Sequence, residues 1–220
     1  MLISDEWTRQ RLPVETWTVD GQEVKAAMRH ARCELADRIE ALPPEQWDAE
    51  SWCTGWRIRD VLGHLVWLAE ASTISIWVFV PIRGAGNADR ALDRIARRVG
   101  EEPVPELTDR LRAAATRGAS IRGLGDVLVH AADTLRPSGQ ELEVSPVEVV
   151  PILDVYKGLF GRLVCHATLG KGKRLVATDA EWAHGQGPEI NGRAIDLLLL
   201  LANRRQVIPL LDGPGATGLK

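Results

Sequence analysis

Apolar residues recur at steps of three and four along two long stretches of the chain, which is the spacing of amphipathic α-helices. The first stretch begins at Val24 and ends before Pro43, with Asp20 as a candidate N-cap. Its apolar positions are Val24, Met28, Ala31, Leu35, Ile39 and Leu42. The second stretch, residues 57–79, is apolar almost all round and has Thr54 as a candidate N-cap. A helix of that kind lies at the centre of a bundle.

Three shorter helices are predicted next. Residues 88–99 form a charged, weakly amphipathic segment, and Pro105 begins a helix that closes near Gly118. Residues 120–135 form a further helix that Pro137 stops. Short connections between such helices are typical of an antiparallel bundle.

The pattern changes after residue 145. We expect a helix over 148–163 and strands over 173–178 and 207–211. Between these strands the chain has a turn at 185–188, with His184 as a turn residue, and a helix over 195–201 with Asn191 as its N-cap.

This change predicts two domains in a mainly α protein. Residues 1–145 would form the helical bundle, and residues 146–220 a small α+β module.

Charge and cysteine content narrow the function classes. The 27 Lys and Arg residues nearly balance the 30 Asp and Glu residues, which excludes a basic surface for nucleic acid or an anionic membrane. No uncharged apolar run approaches the ~18 residues of a membrane helix, and the first residues carry no apolar signal core. The three cysteines form no CxxC pair, which fits a reducing compartment, so we expect a cytoplasmic protein.

Candidate chemistry centres on two helices. His64 lies near the apolar face of the second helix, where an imidazole needs hydrogen bonds or a metal ion; the alternative is a satisfied core histidine. Asp126 and His130 are one helical turn apart on one face, a spacing that presents two ligands to one cation. The alternative is that these two residues and Asp133 form a solvated face.

Other catalytic arrangements find little support. Cys165 and His166 are adjacent, and adjacent residues do not face each other on a helix or strand, which argues against a thiolate–base pair. The chain has no GxSxG, GxxxxGK[ST] or HExxH motif. We therefore assign no catalytic residue beyond the candidate metal ligands.

Three segments resemble motifs of the mycothiol-dependent maleylpyruvate isomerase-like proteins of the DinB/YfiT-like superfamily. They are SWCTGWRIRDVLGHL at 51–65, DVLVHAADTLRP at 126–137, and VATDAEW at 176–182 followed by GQGPE at 185–189 and Asn203-Arg204. The segments occur in the same order as in the family and span most of the chain. Together they are specific for the family, but none is specific for a substrate.

The resemblance implies a DinB-like antiparallel four-helix bundle with a metal ion at one open end. Carried over to this chain, the ligands are His64, Asp126 and His130, and Asp133 would support a ligand from outside the coordination sphere. Asp126 stands where the isomerase pattern has Glu, so its carboxylate is one methylene shorter. We expect Zn²⁺, although the ligand types also suit Ni²⁺ or Fe²⁺.

The resemblance also implies an enzyme, an isomerase or S-transferase that uses mycothiol or another small thiol as cosubstrate. The thiol would add to a conjugated cis double bond of a small electrophile, and elimination after rotation would release the trans isomer. The alternative is a non-catalytic metal- or ligand-binding bundle. The expected partners are small molecules, without nucleic acid or membrane. The sequence does not decide between a monomer and a homodimer. The C-terminal module is expected to be smaller than that of the isomerase.

Overall fold

The structure, a computed structural model, describes residues 20–71, 88–165 and 168–219. Its helices are α1 (Gly21–Glu40), α2 (Ile58–Glu70), α3 (Ala88–Gly100), α4 (Val104–Ala113), α5 (Ile121–Leu135), α6 (Pro146–Tyr156), α7 (Leu159–Val164) and α8 (Ala194–Leu201). Short 3₁₀ helices cover Pro44–Asp48, Arg136–Ser138 and Arg205–Leu210. The strands are β1 (Arg174–Ala177), β2 (Ala183–Gly185) and β3 (Glu189–Gly192). The predicted mainly α fold with a small α+β part is confirmed.

Helix α1 packs against α4 and α5, and α2 packs against α3, α4 and α5. Helix α6 then joins the bundle to the C-terminal part, because it contacts both α5 and α8. One hydrophobic cluster runs through both parts, from Leu62 in α2 to Leu153 in α6 and Leu197 in α8. The division at residue 145 stays a prediction. Among the helices described, none is both long and apolar enough to cross a membrane.

The helix starts follow local capping. The Asp20 carboxylate accepts from the Gln22 N–H at 3.1 Å and Ser120 Oγ accepts from the Gly123 N–H at 3.1 Å, as N-cap residues do. The predicted Thr54 cap is wrong, because the chain stays extended at Arg57 and that residue is the N-cap of α2. The Asp60 carboxylate accepts from the Arg57 N–H at 3.0 Å.

Of two further predicted helices, one ends outside the described residues and the other ends at a different position. Of the second predicted helix, residues 72–79 lie outside the described part of the chain. The predicted closure at Gly118 is wrong in position: α4 ends at Ala113, and Gly118 lies in the turn that follows, with φ 66°.

The C-terminal part departs from expectation at several positions. The predicted helix over 148–163 is two helices, α6 and α7, separated by Gly158. The predicted strand over 207–211 is wrong, because it is a 3₁₀ helix that contains Pro209, which cannot donate a hydrogen bond to a sheet.

Two further predictions, for His184 and Asn191, are wrong because both residues belong to the sheet. Strand β1 is central, antiparallel to β2 and parallel to β3. His184 belongs to β2 rather than to a turn. Asn191 belongs to β3, where its backbone pairs with Asp212, and Arg193 is the N-cap residue of α8.

Two glycines allow helices to approach closely beside the candidate site. A Cβ atom at Gly63 would lie 2.5 Å from the Gly100 nitrogen and 2.6 Å from the Ala96 oxygen of α3. A Cβ atom at Gly125 would lie 2.6 Å from Cγ2 of Ile152 in α6. Because these glycines directly precede His64 and Asp126, they set where both side chains sit.

We expect Gly63→Ala to destabilise the fold by about 1–3 kcal/mol, the usual cost of overpacking, because the added methyl meets backbone that cannot rotate away. The free energy of urea unfolding measures the change.

Gly21→Ala is the matched control, since nothing lies within 4 Å of the place where its added methyl would sit. Its effect should stay within about 1 kcal/mol, the range of helix propensity. Equal unfolding midpoints for wild type and Gly63→Ala would contradict the close approach.

Candidate metal centre

Helices α2 and α5 bring His64, Asp126 and His130 together. Nε2 of His64 lies 3.8 Å from Oδ2 of Asp126, and Nε2 of His130 lies 3.7 Å from Oδ1 of Asp126. One ligand atom from each residue lies within 4.8 Å of the others. These distances exceed those of hydrogen bonds. They suit atoms that share one cation at about 2.0–2.2 Å.

Burial distinguishes this cluster from an ordinary polar face. His64 is 6% exposed and His130 is 8% exposed, while the Asp126 side chain is 32% exposed. Asp133 is fully buried. On this face of α5 His130 and Asp133 are therefore buried and Asp126 is partly exposed, which does not fit the alternative of a solvated stripe.

His64 is not a satisfied core histidine. Its Nδ1 atom is buried and has no hydrogen-bond partner among the described residues. Its Nε2 atom has only the long approach to Asp126. A buried imidazole with two unsatisfied nitrogens is costly, and coordination of an ion would satisfy one of them. The donor set therefore fits a metal ion.

His130 is held in place by a buried carboxylate. Its Nδ1 lies 2.9 Å from Oδ2 of Asp133, so Nδ1–H donates to the carboxylate and the Nε2 lone pair faces Asp126. Asp133 in turn accepts from Arg204, from Nε at 2.8 Å and from Nη2 at 2.7 Å. The backbone oxygen of Asp133 accepts from the Trp52 N–H at 2.9 Å. This is the supporting role that the resemblance implies for Asp133.

The pKa shifts of His64 and Asp126 suit a cation site. Burial lowers the pKa of His64, which keeps its imidazole neutral. Burial alone would raise the pKa of Asp126, but the facing His130 and His64 outweigh it and hold that pKa below its usual value. Neutral imidazoles and an ionised carboxylate are the forms that bind metals.

Cys53 also borders the cluster, and sequence reasoning did not predict it. A ligand atom of Cys53 lies within 4.8 Å of ligand atoms of His130 and Asp133. Asp133 is already engaged by the Arg204 guanidinium, so a cation in this second group would have to displace it. Burial raises the pKa of the Cys53 thiol to about 11, so the thiol stays protonated near neutral pH.

Trp56 and Arg204 are further site residues that sequence reasoning missed. The Trp56 ring lies 5.2 Å from the His64 ring and 6.1 Å from the His130 ring, centroid to centroid. Cys53, Trp56 and Arg204 all lie inside the segments that carry the family resemblance, and this is the signal that could have marked them. Of the adjacent pair Cys165-His166, the histidine lies outside the described residues.

Fold and site together define a class: helical-bundle proteins with a buried cluster of two imidazoles and one carboxylate. Residues 28–120 match the family model of the mycothiol maleylpyruvate isomerase N-terminal domain, so the resemblance to that family is confirmed. The matched segment includes His64 and ends before Asp126 and His130. No curated protein matches the chain.

A solved structure supports the fold over a longer span. The chain is similar to the crystal structure of an alanine mutant of a mycothiol-dependent maleylpyruvate isomerase, with a TM-score of 0.58 and 10% sequence identity. The similarity covers 90% of this chain and 94% of that chain. At this identity it shows the fold alone. The expectation of a smaller C-terminal module is wrong, because nearly all of the isomerase chain has a counterpart here.

We expect Asp133→Asn to destabilise the protein by about 3 kcal/mol or more, because the substitution leaves the Arg204 guanidinium largely buried without a counter-charge. The free energy of urea unfolding at neutral pH measures this.

Asp109→Asn is the control, because that carboxylate pairs with Arg112 at 3.1 Å with its side chain 78% exposed. Exposed pairs contribute about 1 kcal/mol or less. If Asp133→Asn lowers the free energy of unfolding by no more than Asp109→Asn does, a structural role for the Asp133–Arg204 pair is contradicted.

Proposed function

We propose that this protein is a metal- and thiol-dependent enzyme, an isomerase or S-transferase that acts on a small electrophile. The convergence of His64, Asp126 and His130 from two helices carries the proposal. The family match over residues 28–120 supports a mycothiol-type small thiol as cosubstrate, because the matching family is named for mycothiol-dependent isomerases. The unpaired cysteines fit the reducing cytoplasm that we propose as its compartment.

The metal would be held by two imidazole nitrogens and one carboxylate. We propose Zn²⁺, and Ni²⁺ or Fe²⁺ share the same ligand preferences. A bound zinc ion with an open coordination position ionises a thiol there at neutral pH.

The chain's own residues prepare the site for that chemistry. Asp133 holds the proton on Nδ1 of His130, which leaves Nε2 free to face the site. The Trp56 ring lies against both imidazole rings. Burial raises the pKa of the Cys53 thiol to about 11, which disfavours its thiolate in the metal-free site. This favours a nucleophile that comes from a separate small thiol.

The proposed reaction conserves the thiol. The thiolate sulfur adds to one carbon of a conjugated cis double bond, the electron pair of that bond moves into the conjugated acceptor group, and the resulting carbon–carbon single bond rotates. Return of the electron pair re-forms the double bond, breaks the carbon–sulfur bond and releases the trans isomer and the thiolate, which regains its proton as the free thiol. With an electrophile that keeps the carbon–sulfur bond, the same first step gives S-conjugation. Maleylpyruvate, named for the similar isomerase, is the first substrate to assay.

Metal content tests the proposal directly. We expect one Zn²⁺ per chain in the wild type by elemental analysis. His64→Ala and His130→Ala should each lower the zinc affinity by about 100-fold or more. This loss is larger than the roughly 10–100-fold that typically follows the loss of a residue that only supports a ligand. His30→Ala is the control, because His30 is exposed and pairs with Glu34 on α1.

The zinc-loaded proteins are then assayed with mycothiol, or another small thiol, and an electrophile. Wild type and His30→Ala should exceed the uncatalysed rate, and His130→Ala should not. Equal, near-zero zinc in all variants would overturn the metal centre. Bound zinc without any rate would favour the alternative, a non-catalytic metal-binding bundle.

The pH dependence of zinc binding has a definite sign. Protons compete with the metal for the imidazole lone pairs, so the affinity falls as the pH falls. Because burial lowers the pKa of His64, the part of this loss that comes from His64 should begin below the ordinary imidazole pKa of about 6.5. The ionised form of Asp126 persists through this range. A zinc titration at several pH values measures the midpoint, and unchanged binding at about pH 4.5 would contradict histidine ligands.

A further inference from the structure

The two imidazoles of the candidate centre are oriented in different ways. His130 donates from Nδ1 to Asp133, the arrangement usual for a metal-ligating histidine. His64 has no such partner among the described residues, since its buried Nδ1 makes no hydrogen bond. Something other than a hydrogen bond must therefore set the angle of the His64 ring.

Among the described residues, Trp56 lies against both imidazole rings. Its indole is tilted by 52° against the His64 ring at 5.2 Å and stacked within 24° of the His130 ring at 6.1 Å. The two imidazoles meet each other edge to face at 4.8 Å. The three rings thus form one packed group, and such contacts have preferred geometries.

The indole is itself anchored at its outer edge. Trp56 Nε1 donates to the Asp93 carboxylate of α3 at 2.9 Å. Asp93 also accepts from Arg97 Nε at 2.9 Å, and Arg97 Nη2 donates to the backbone oxygen of Gly55 at 2.5 Å. The side chain of Trp56 and the backbone of Gly55 before it are therefore both hydrogen-bonded to residues of α3.

We propose that Trp56, anchored by Asp93, is a positioning residue for the metal centre: it holds the His64 ring at the ligating angle. The proposal rests on the proposed function, because it concerns the same metal ligands. It assigns to aromatic packing at His64 the task that the Asp133 carboxylate performs at His130. It also gives α3 a role in the site, although α3 contributes none of the three ligands.

The test is the affinity of the full chain for Zn²⁺ alone, measured by competition with a chromophoric chelator. Loss of an orienting partner typically costs 10–100-fold in metal affinity. We therefore expect Trp56→Leu to bind Zn²⁺ about 10–100-fold more weakly. Trp56→Phe, which keeps an aromatic face, should recover most of the affinity, and Asp93→Ala should fall between these two.

Trp47→Leu is the matched control. Trp47 is also half-buried and donates from its indole nitrogen, at 3.1 Å to the backbone oxygen of Ile39, but it does not touch the candidate ligands. This variant should lose stability and keep the wild-type zinc affinity. A merely structural role for Trp56 predicts the same behaviour for Trp56→Leu.

A second readout avoids dependence on one variant. Ni²⁺ quenches the fluorescence of a tryptophan close to it, so the quenched part of the emission should disappear in Trp56→Phe and persist in Trp47→Leu. If Trp56→Leu fails to fold, Trp56→Phe and Asp93→Ala carry the test.

The outcomes separate the two proposals. Wild-type zinc affinity in Trp56→Leu and Asp93→Ala would overturn the role of Trp56 and leave the metal centre intact. A wild-type protein that binds no zinc would overturn both. Weak binding in Trp56→Leu with recovery in Trp56→Phe supports the positioning role.

Discussion

The Asp133–Arg204 ion pair is the contact on which the candidate site depends. A fully buried carboxylate carries a desolvation cost of several kcal/mol unless a cation and hydrogen bonds compensate it. Arg204 supplies two hydrogen bonds and His130 a third. Arg204 follows α8, so a residue of the C-terminal part completes a site whose candidate ligands belong to the bundle. It reaches Asp133 across 71 residues of chain, a contact that no local sequence pattern encodes.

The two carboxylates of the site differ in how their charge is balanced. Asp133 is neutralised by a guanidinium and engaged on both oxygens. Asp126 faces two imidazoles at 3.7 and 3.8 Å, beyond hydrogen-bond distance. An ionised carboxylate in a partly buried position is stabilised by a cation, and the two imidazole nitrogens that face Asp126 are of the type that binds metals. This difference is the physical argument for an ion between Asp126 and the histidines.

Local features of the fold and site could be predicted from the sequence, and long-range features could not. The four-residue spacing of Asp126 and His130 places both on one face of any helix, so their pairing needs no knowledge of the fold. The approach of His64 to them depends on how α2 crosses α5, and only the family resemblance indicated it. Residues 207–211 have the composition of a short strand, but Pro209 removes a donor and the chain winds into a 3₁₀ helix.

Two kinds of restraint hold the candidate ligands, and they tolerate change differently. A hydrogen bond such as that from His130 to Asp133 fixes a direction and depends on two atoms, so a change in either partner removes it entirely. Packing such as that of His64 against Trp56 fixes an orientation through many weak contacts and degrades gradually as the fit worsens. The close approach of Gly63 to α3 belongs to the second kind and sets the depth at which His64 sits. The geometry at His64 is therefore a property of how Trp56, α2 and α3 pack together, and the geometry at His130 is a property of one buried ion pair.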